Sequence, residues 1–162
     1  MKAMTAIAAR KEKGFTLIEL VMVIVILGIL AAFALPRFAD LGGEAETATV
    51  QGALASVKSA SGIVRSKALA SGNSASDADD AITLEGASVD LTNGFLRGSS
   101  LEDAAQIGDF DIVGSNPYIV TIDPAEAGKP CFTFSDSTAE GQPPAISDIQ
   151  SMSDASTCGT TP

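Results

Sequence analysis

The chain has 162 residues, a mass of 16.4 kDa and a formal charge of −10, with no His and no Trp. That length holds one modest core. The acidic balance disfavours nucleic acid as a partner, because phosphate binding needs a surplus of cations. Lack of His removes the commonest general base and metal ligand, and two cysteines alone cannot complete a zinc site.

Charge is unevenly placed. Lys2, Arg10, Lys11 and Lys13 stand against Glu12 at the N-terminus, whereas Phe15 onward is strongly acidic. Between these regions lies LVMVIVILGILAAFALP, Leu20 to Pro36, with no charge at all. With Phe15–Glu19 added, the run makes roughly 33 Å of helix at 1.5 Å per residue, enough to cross a bilayer. A basic tip, an apolar run and an acidic body predict a membrane-directed N-terminus and an exported domain. Three readings fit: a membrane anchor, a secretory signal cut after Ala32-Phe33-Ala34, and one that also explains the residues at the junction.

Those residues are Gly14-Phe15-Thr16-Leu17-Ile18-Glu19. The string GFTLIE followed by LVMVIVILGILAAFALP resembles the class III signal of type IV prepilins and type II secretion pseudopilins. The resemblance is close over residues 10–42. It implies that a prepilin peptidase removes a leader of residues 1–14 by cutting after Gly14. Phe15 would then be N-methylated and the apolar helix of residues 15–43 retained.

Glu19 carries a charge into an apolar stripe. Thr16-x-x-Glu19 fits a capping box, and an acid in the first turn suits the helix dipole. The resemblance adds a second role, in which Glu19 pairs with the free amine of Phe15 in its own or a neighbouring subunit. The two roles are compatible.

Pro36 lacks an N–H and crowds the carbonyl of Ala32, so a helix through it is expected to kink, with Gly28 and Gly42-Gly43 as further soft points. Family resemblance implies that Gly28–Pro36 unwinds on filament packing; plain tolerance of Pro and Gly in membrane helices is the alternative.

From Glu44 the pattern turns amphipathic. Val50, Leu54, Val57, Ser61, Val64 and Ala68 form a stripe, with Ala53, Ala60 and Ile63 nearby. Gln51, Ser56, Lys58, Ser59 and Arg65 are expected on the opposite face. The helix of about 15 to 71 should stop near Ser71-Gly72-Asn73.

Residues 73–80, NSASDADD, read as a polar loop. Asp77, Asp79 and Asp80 lack the spacing of a calcium loop and its distal Glu, so no metal or other cofactor is expected. Strands are expected at Ala81–Glu85, Ser88–Leu91, Asp109–Val113, Tyr118–Ile122 and Cys131–Ser135, with a hairpin-like connection over Asp123–Pro130 and a short helix within Ser99–Gln106. The tail after Glu140 reads as loop. Two cysteines in an exported domain are expected to pair, so Cys131 and Cys158 should tether that tail.

Val50-Gln51-Gly52, Gly94-Phe95, Cys131-Phe132-Thr133-Phe134, Pro143-Pro144 and Cys158 are similar to mannose-sensitive haemagglutinin (MSHA) pilins, at scattered points. The expected fold is α+β: a long bent N-terminal helix, transmembrane in its first half, on a small antiparallel sheet, with the head at 44–162. As implied by the family, the chain would be a structural subunit of a type IV pilus, acting in attachment and in motility or biofilm formation. Its partners would be itself, in a helical homopolymer, the inner membrane, the prepilin peptidase, and the assembly machinery with its ATPase. The precursor would sit in the bacterial inner membrane with its N-terminus cytoplasmic and its head periplasmic, and later in an extracellular pilus. The alternative is a pseudopilin of a type II secretion or competence system. No spacing points to an anchored enzyme.

Overall fold

The computed structural model of the chain describes residues 14–72 and 80–159. It divides into two compact units, one reaching Leu41 and the other starting at Gly42. Helix α1, Leu17–Ser71, has 55 residues and contributes to both.

In the first unit α1 is apolar on every side. Its most hydrophobic 18-residue window has a mean hydropathy of 2.9 and buries none of its residues against the rest of the chain. The helix continues through Gly28 and Pro36. Leu, Ile, Val and Ala dominate this stretch, and a continuous helix satisfies its backbone where no water can.

In the second unit α1 becomes one-sided. Val50, Ala53, Leu54, Val57, Ala60, Val64 and Ala68 are buried, as their spacing predicts. Ile63 departs from expectation and is exposed, while Ser61 is half-buried. The helix ends at Ser71 as anticipated, where the Gly72 N–H bonds back to the Leu69 carbonyl.

Two sheets form in place of the single small one expected. The first has strands β1 (Ala81–Leu84), β2 (Ala87–Thr92) and β3 (Phe95–Leu96) in order β1-β2-β3. Both its turns are two residues long, Glu85-Gly86 and Asn93-Gly94, with positive φ at all four positions. This is the type I′ geometry that matches strand twist, and it suits Asn and Gly best. A 3₁₀ turn, Gly98–Ser100, and helix α2, Leu101–Ala105, follow in the region where a short helix was expected.

The second sheet contains β4 (Phe110–Val113), β5 (Tyr118–Ile122), β6 (Pro130–Ser135), β7 (Ala145–Ile146), β8 (Gln150–Asp154) and β9 (Thr157–Cys158). Its path is β4-β5-β6-β8-β9, with β7 also pairing with β6, and every pairing is antiparallel. The tail after Glu140, expected as loop, therefore supplies three strands. Backbone pairing organises it: Gly128 donates to the Met152 carbonyl and Met152 to the Lys129 carbonyl, each at 2.8 Å.

The core joins the α1 stripe to Ile82, Val89, Leu91, Leu96, Leu101, Val120, Phe132 and Phe134. Fully burying each such side chain contributes roughly 1.5–3 kcal/mol. A smaller cluster of Ile119, Cys131 and Met152 packs with Val113, Ala125 and Cys158.

One contact depends on a missing side chain. A Cβ at buried Gly98 would lie 2.0 Å from Cδ2 and Cε2 of Tyr118. Gly98→Ala forces that ring aside and is expected to destabilise the head by about 1–3 kcal/mol. Thermal unfolding of the membrane-inserted chain reads this loss; an unchanged midpoint would show that the ring yields freely.

Candidate processing and assembly site

Gly14, Phe15 and Thr16 precede the helix, and Thr16 occupies its N-cap. The Thr16 Oγ1 accepts the Glu19 backbone N–H at 3.3 Å. Glu19 answers through one carboxylate oxygen, Oε2, which accepts the Thr16 backbone N–H at 2.8 Å and the Thr16 hydroxyl at 2.6 Å. The Thr16 carbonyl accepts the first helical bond, from Leu20 at 3.2 Å. The capping box legible in Thr16-x-x-Glu19 is thus formed in both directions.

Phe15 is 93% exposed, and from Phe15 to Leu41 no large apolar side chain among those described is less than 39% exposed. So long an uncovered apolar surface far exceeds what a water-soluble monomer presents. It is satisfied by lipid or by other apolar helices. At about 25 cal/mol per Å2, covering it dominates the energetics of this unit.

The head holds its own fixed points. Cys131 on β6 and Cys158 on β9 are bonded, with Cα atoms 6.0 Å apart and a separation of 27 positions in sequence. Lys129, in the β5–β6 connection, pairs with Glu46 on α1. Arg65 departs from the solvent face expected for it. It is half-buried, its guanidinium carbon 4.3 Å from the Phe95 ring centroid and its Nη1 donating to the Gly94 carbonyl at 3.1 Å. Cation–π attraction and an aliphatic stem explain why a charge lies there.

Buried Ser137 forms another tie that the sequence did not reveal. Asn93, in the β2–β3 turn, donates to the Ser137 carbonyl at 3.1 Å and to its hydroxyl at 3.2 Å. The Ser137 hydroxyl donates to the Gln142 carbonyl at 2.7 Å. At the β8–β9 tip, the Ser156 hydroxyl and backbone N–H beside Asp154 hold its carboxyl below the usual range.

Of the three aspartates weighed as a calcium site, Asp77 and Asp79 lie outside the described residues. The Asp80 carbonyl accepts a bond from the Leu91 N–H. Among the described residues no cluster of three or more His, Cys, Asp or Glu is placed to hold a metal ion.

Residues 9–35 match the family model of the prokaryotic N-terminal methylation motif. The chain is 58% identical over 50 residues to a type IV narrow pilus major component, PilA5, of Thermus thermophilus, covering 31% of this chain and 43% of that protein. It is 39% identical over 99 residues to fimbrial protein Q of Moraxella bovis, covering 60% and 59%. It is 55% identical over 49 residues to a type IV major alpha-pilin of Moraxella bovis, covering 30% and 31%. The chain thus aligns with less than two thirds of the length of each of these relatives. No solved structure matches it significantly. It therefore carries the methylation motif and has relatives among the type IV pilins.

Proposed function

We propose that this chain is the structural subunit of a type IV pilus, polymerising through its N-terminal helix into a surface filament for attachment, motility or biofilm formation. The carrying observation is the uncovered apolar half of α1, which begins at a methylation motif and continues into a folded head. Such a helix has two stable settings, a bilayer and a bundle of its own copies. The function is structural and not enzymatic, with no cofactor or metal.

Residues 1–14 form the leader, cut by a prepilin peptidase between Gly14 and Phe15, and Phe15 takes the N-methyl group. Residues 15–43 anchor the precursor in the bacterial inner membrane, N-terminus cytoplasmic and head, 44–162, periplasmic. Gly28 and Pro36 provide the soft stretch where α1 kinks or unwinds as subunits pack. An assembly machinery with an ATPase moves subunits from lipid to an extracellular filament.

Within the pilins we place the chain nearest the MSHA type. Support comes from Val50-Gln51-Gly52 on α1, Gly94-Phe95, Cys131-Phe132-Thr133-Phe134 on β6, Pro143-Pro144 and Cys158. The pseudopilin reading shares the N-terminal segment; the relatives named as pilus and fimbrial proteins, and the disulfide, favour the pilus.

Deleting the gene and re-expressing the chain tests this reading. Electron microscopy is expected to show long surface filaments, labelled along their length by antibody to the head, lost on deletion and restored on re-expression. Short periplasmic assemblies together with a protein-secretion defect would assign the chain to a secretion machine.

A further inference from the structure

We propose that Thr16 is a positioning residue for proteolysis: its bonds with Glu19 fix the start of α1 and keep the Gly14–Phe15 amide out of the helix, where a membrane peptidase can take it. The proposal rests on the pilin reading above. The cut itself is a hydrolysis. Water adds across the amide, the C–N bond breaks, Gly14 leaves as a carboxylate and Phe15 gains a protonated amine.

The backbone donors at the start of α1 have two alternative sets of partners. If α1 began one turn earlier, the Ile18 N–H would bond to the Gly14 carbonyl and the Glu19 N–H to the Phe15 carbonyl, by the i to i−4 rule. Those two carbonyls flank the scissile nitrogen, and the first belongs to the amide being cut. Among the described residues neither bond forms; the first backbone bond runs from Leu20 to Thr16. Thr16 Oγ1 holds the Glu19 N–H that the extended helix would use. Glu19 in turn holds the Thr16 N–H.

Without the hydroxyl, the Glu19 donor needs another partner. Fraying toward the C-terminus would strip backbone bonds from apolar residues at the membrane, which is costly. Extension toward Gly14 supplies the partner instead. Extension also occupies the carbonyl that the peptidase must polarise, so only the retracted form is cleavable. A smaller competent fraction raises the apparent KM in proportion and leaves kcat alone.

The test uses the full chain in lipid vesicles with a purified prepilin peptidase, the products identified by mass. Thr16→Val keeps the shape and removes the hydroxyl; Thr16→Ser restores it. The expected result for Thr16→Val is a KM raised by about fivefold, the usual scale of a lost N-cap, with kcat unchanged and the parent KM recovered in Thr16→Ser. An unchanged KM in Thr16→Val, a loss confined to kcat, or a failure of Thr16→Ser to recover the parent KM would each overturn the proposal. A parent chain left uncut between Gly14 and Phe15 would overturn the pilin reading and this proposal with it. A cut parent with an indifferent Thr16→Val leaves the pilin reading standing and removes the proposal alone.

Discussion

Glu19→Gln is expected to leave membrane levels of cleaved subunit normal and to abolish pili. Two roles for Glu19 predict different outcomes. The capping role survives the change, because a Gln side-chain carbonyl can accept the Thr16 N–H that Glu19 Oε2 now holds at 2.8 Å. The charge does not survive. The proposed cut would leave a positive amine on Phe15, and an apolar helix bundle has nothing else in this segment to neutralise it: among Phe15–Pro36 the sequence carries no other ionisable side chain than Glu19. An unpaired charge in such surroundings is heavily penalised, and a filament repeats the penalty at every subunit. A single subunit in the bilayer keeps its terminus near the water interface, so insertion and cleavage proceed. Immunoblots of membranes and electron microscopy of cells read the two halves of this prediction. Parental pilus numbers would leave Glu19 with its cap and no assembly role.

Cys158→Ser is expected to act on the head and spare the membrane segment. The bond to Cys131 closes a loop of 27 residues' separation that contains β7 and β8. Loop-closure entropy of that size amounts to about 3–4 kcal/mol. The β7 and β9 strands have only two residues each and cannot hold the tail strongly on their own. The thermal midpoint of the head should fall by roughly 10–20 °C, with lower subunit levels and unchanged insertion. Peptide mapping without reductant should find Cys131 linked to Cys158 in the parent. A midpoint within a few degrees of the parent would mean that β8 and its neighbours hold the segment without the bond.

The helix was legible in the sequence because two strong signals coincide along it. An uninterrupted apolar run gives the first half, and a 3–4-residue repeat from Val50 to Ala68 gives the second. Strands β5 and β6 were legible for a related reason, since Tyr118–Ile122 and Pro130–Ser135 concentrate β-branched and aromatic residues. Strand β8 was not. Its sequence, QSMSD, has one buried side chain, Met152, and is held by backbone pairing and the neighbouring disulfide. Polar composition reads as loop when the stabilising contacts are made by the main chain. The division into two sheets was hidden in the same way, because β3 is two residues long and its pairing is set by the Asn93-Gly94 turn.

Arg65 left its expected face for a physical reason. Helical periodicity assigns a residue to a face, while a long side chain can lie back over a neighbour, as Arg65 does over Phe95. At the start of α1 the capping contacts were legible. Thr16 and Glu19 are three residues apart, and capping is a local interaction that needs no knowledge of the rest of the fold. Ser137 and Asn93 are 44 residues apart, and nothing in either stretch announces the other.

The pilin reading requires that the apolar helix is kept, with a new terminus at its head, and not discarded. Intact mass and N-terminal sequencing of protein sheared from the cell surface separate the two fates. The expected chain begins at N-methyl-Phe15, lacks residues 1–14 and has Cys131 joined to Cys158. A chain beginning at Leu35, after Ala34, would mean the helix had been removed as a secretory signal, and would contradict that reading.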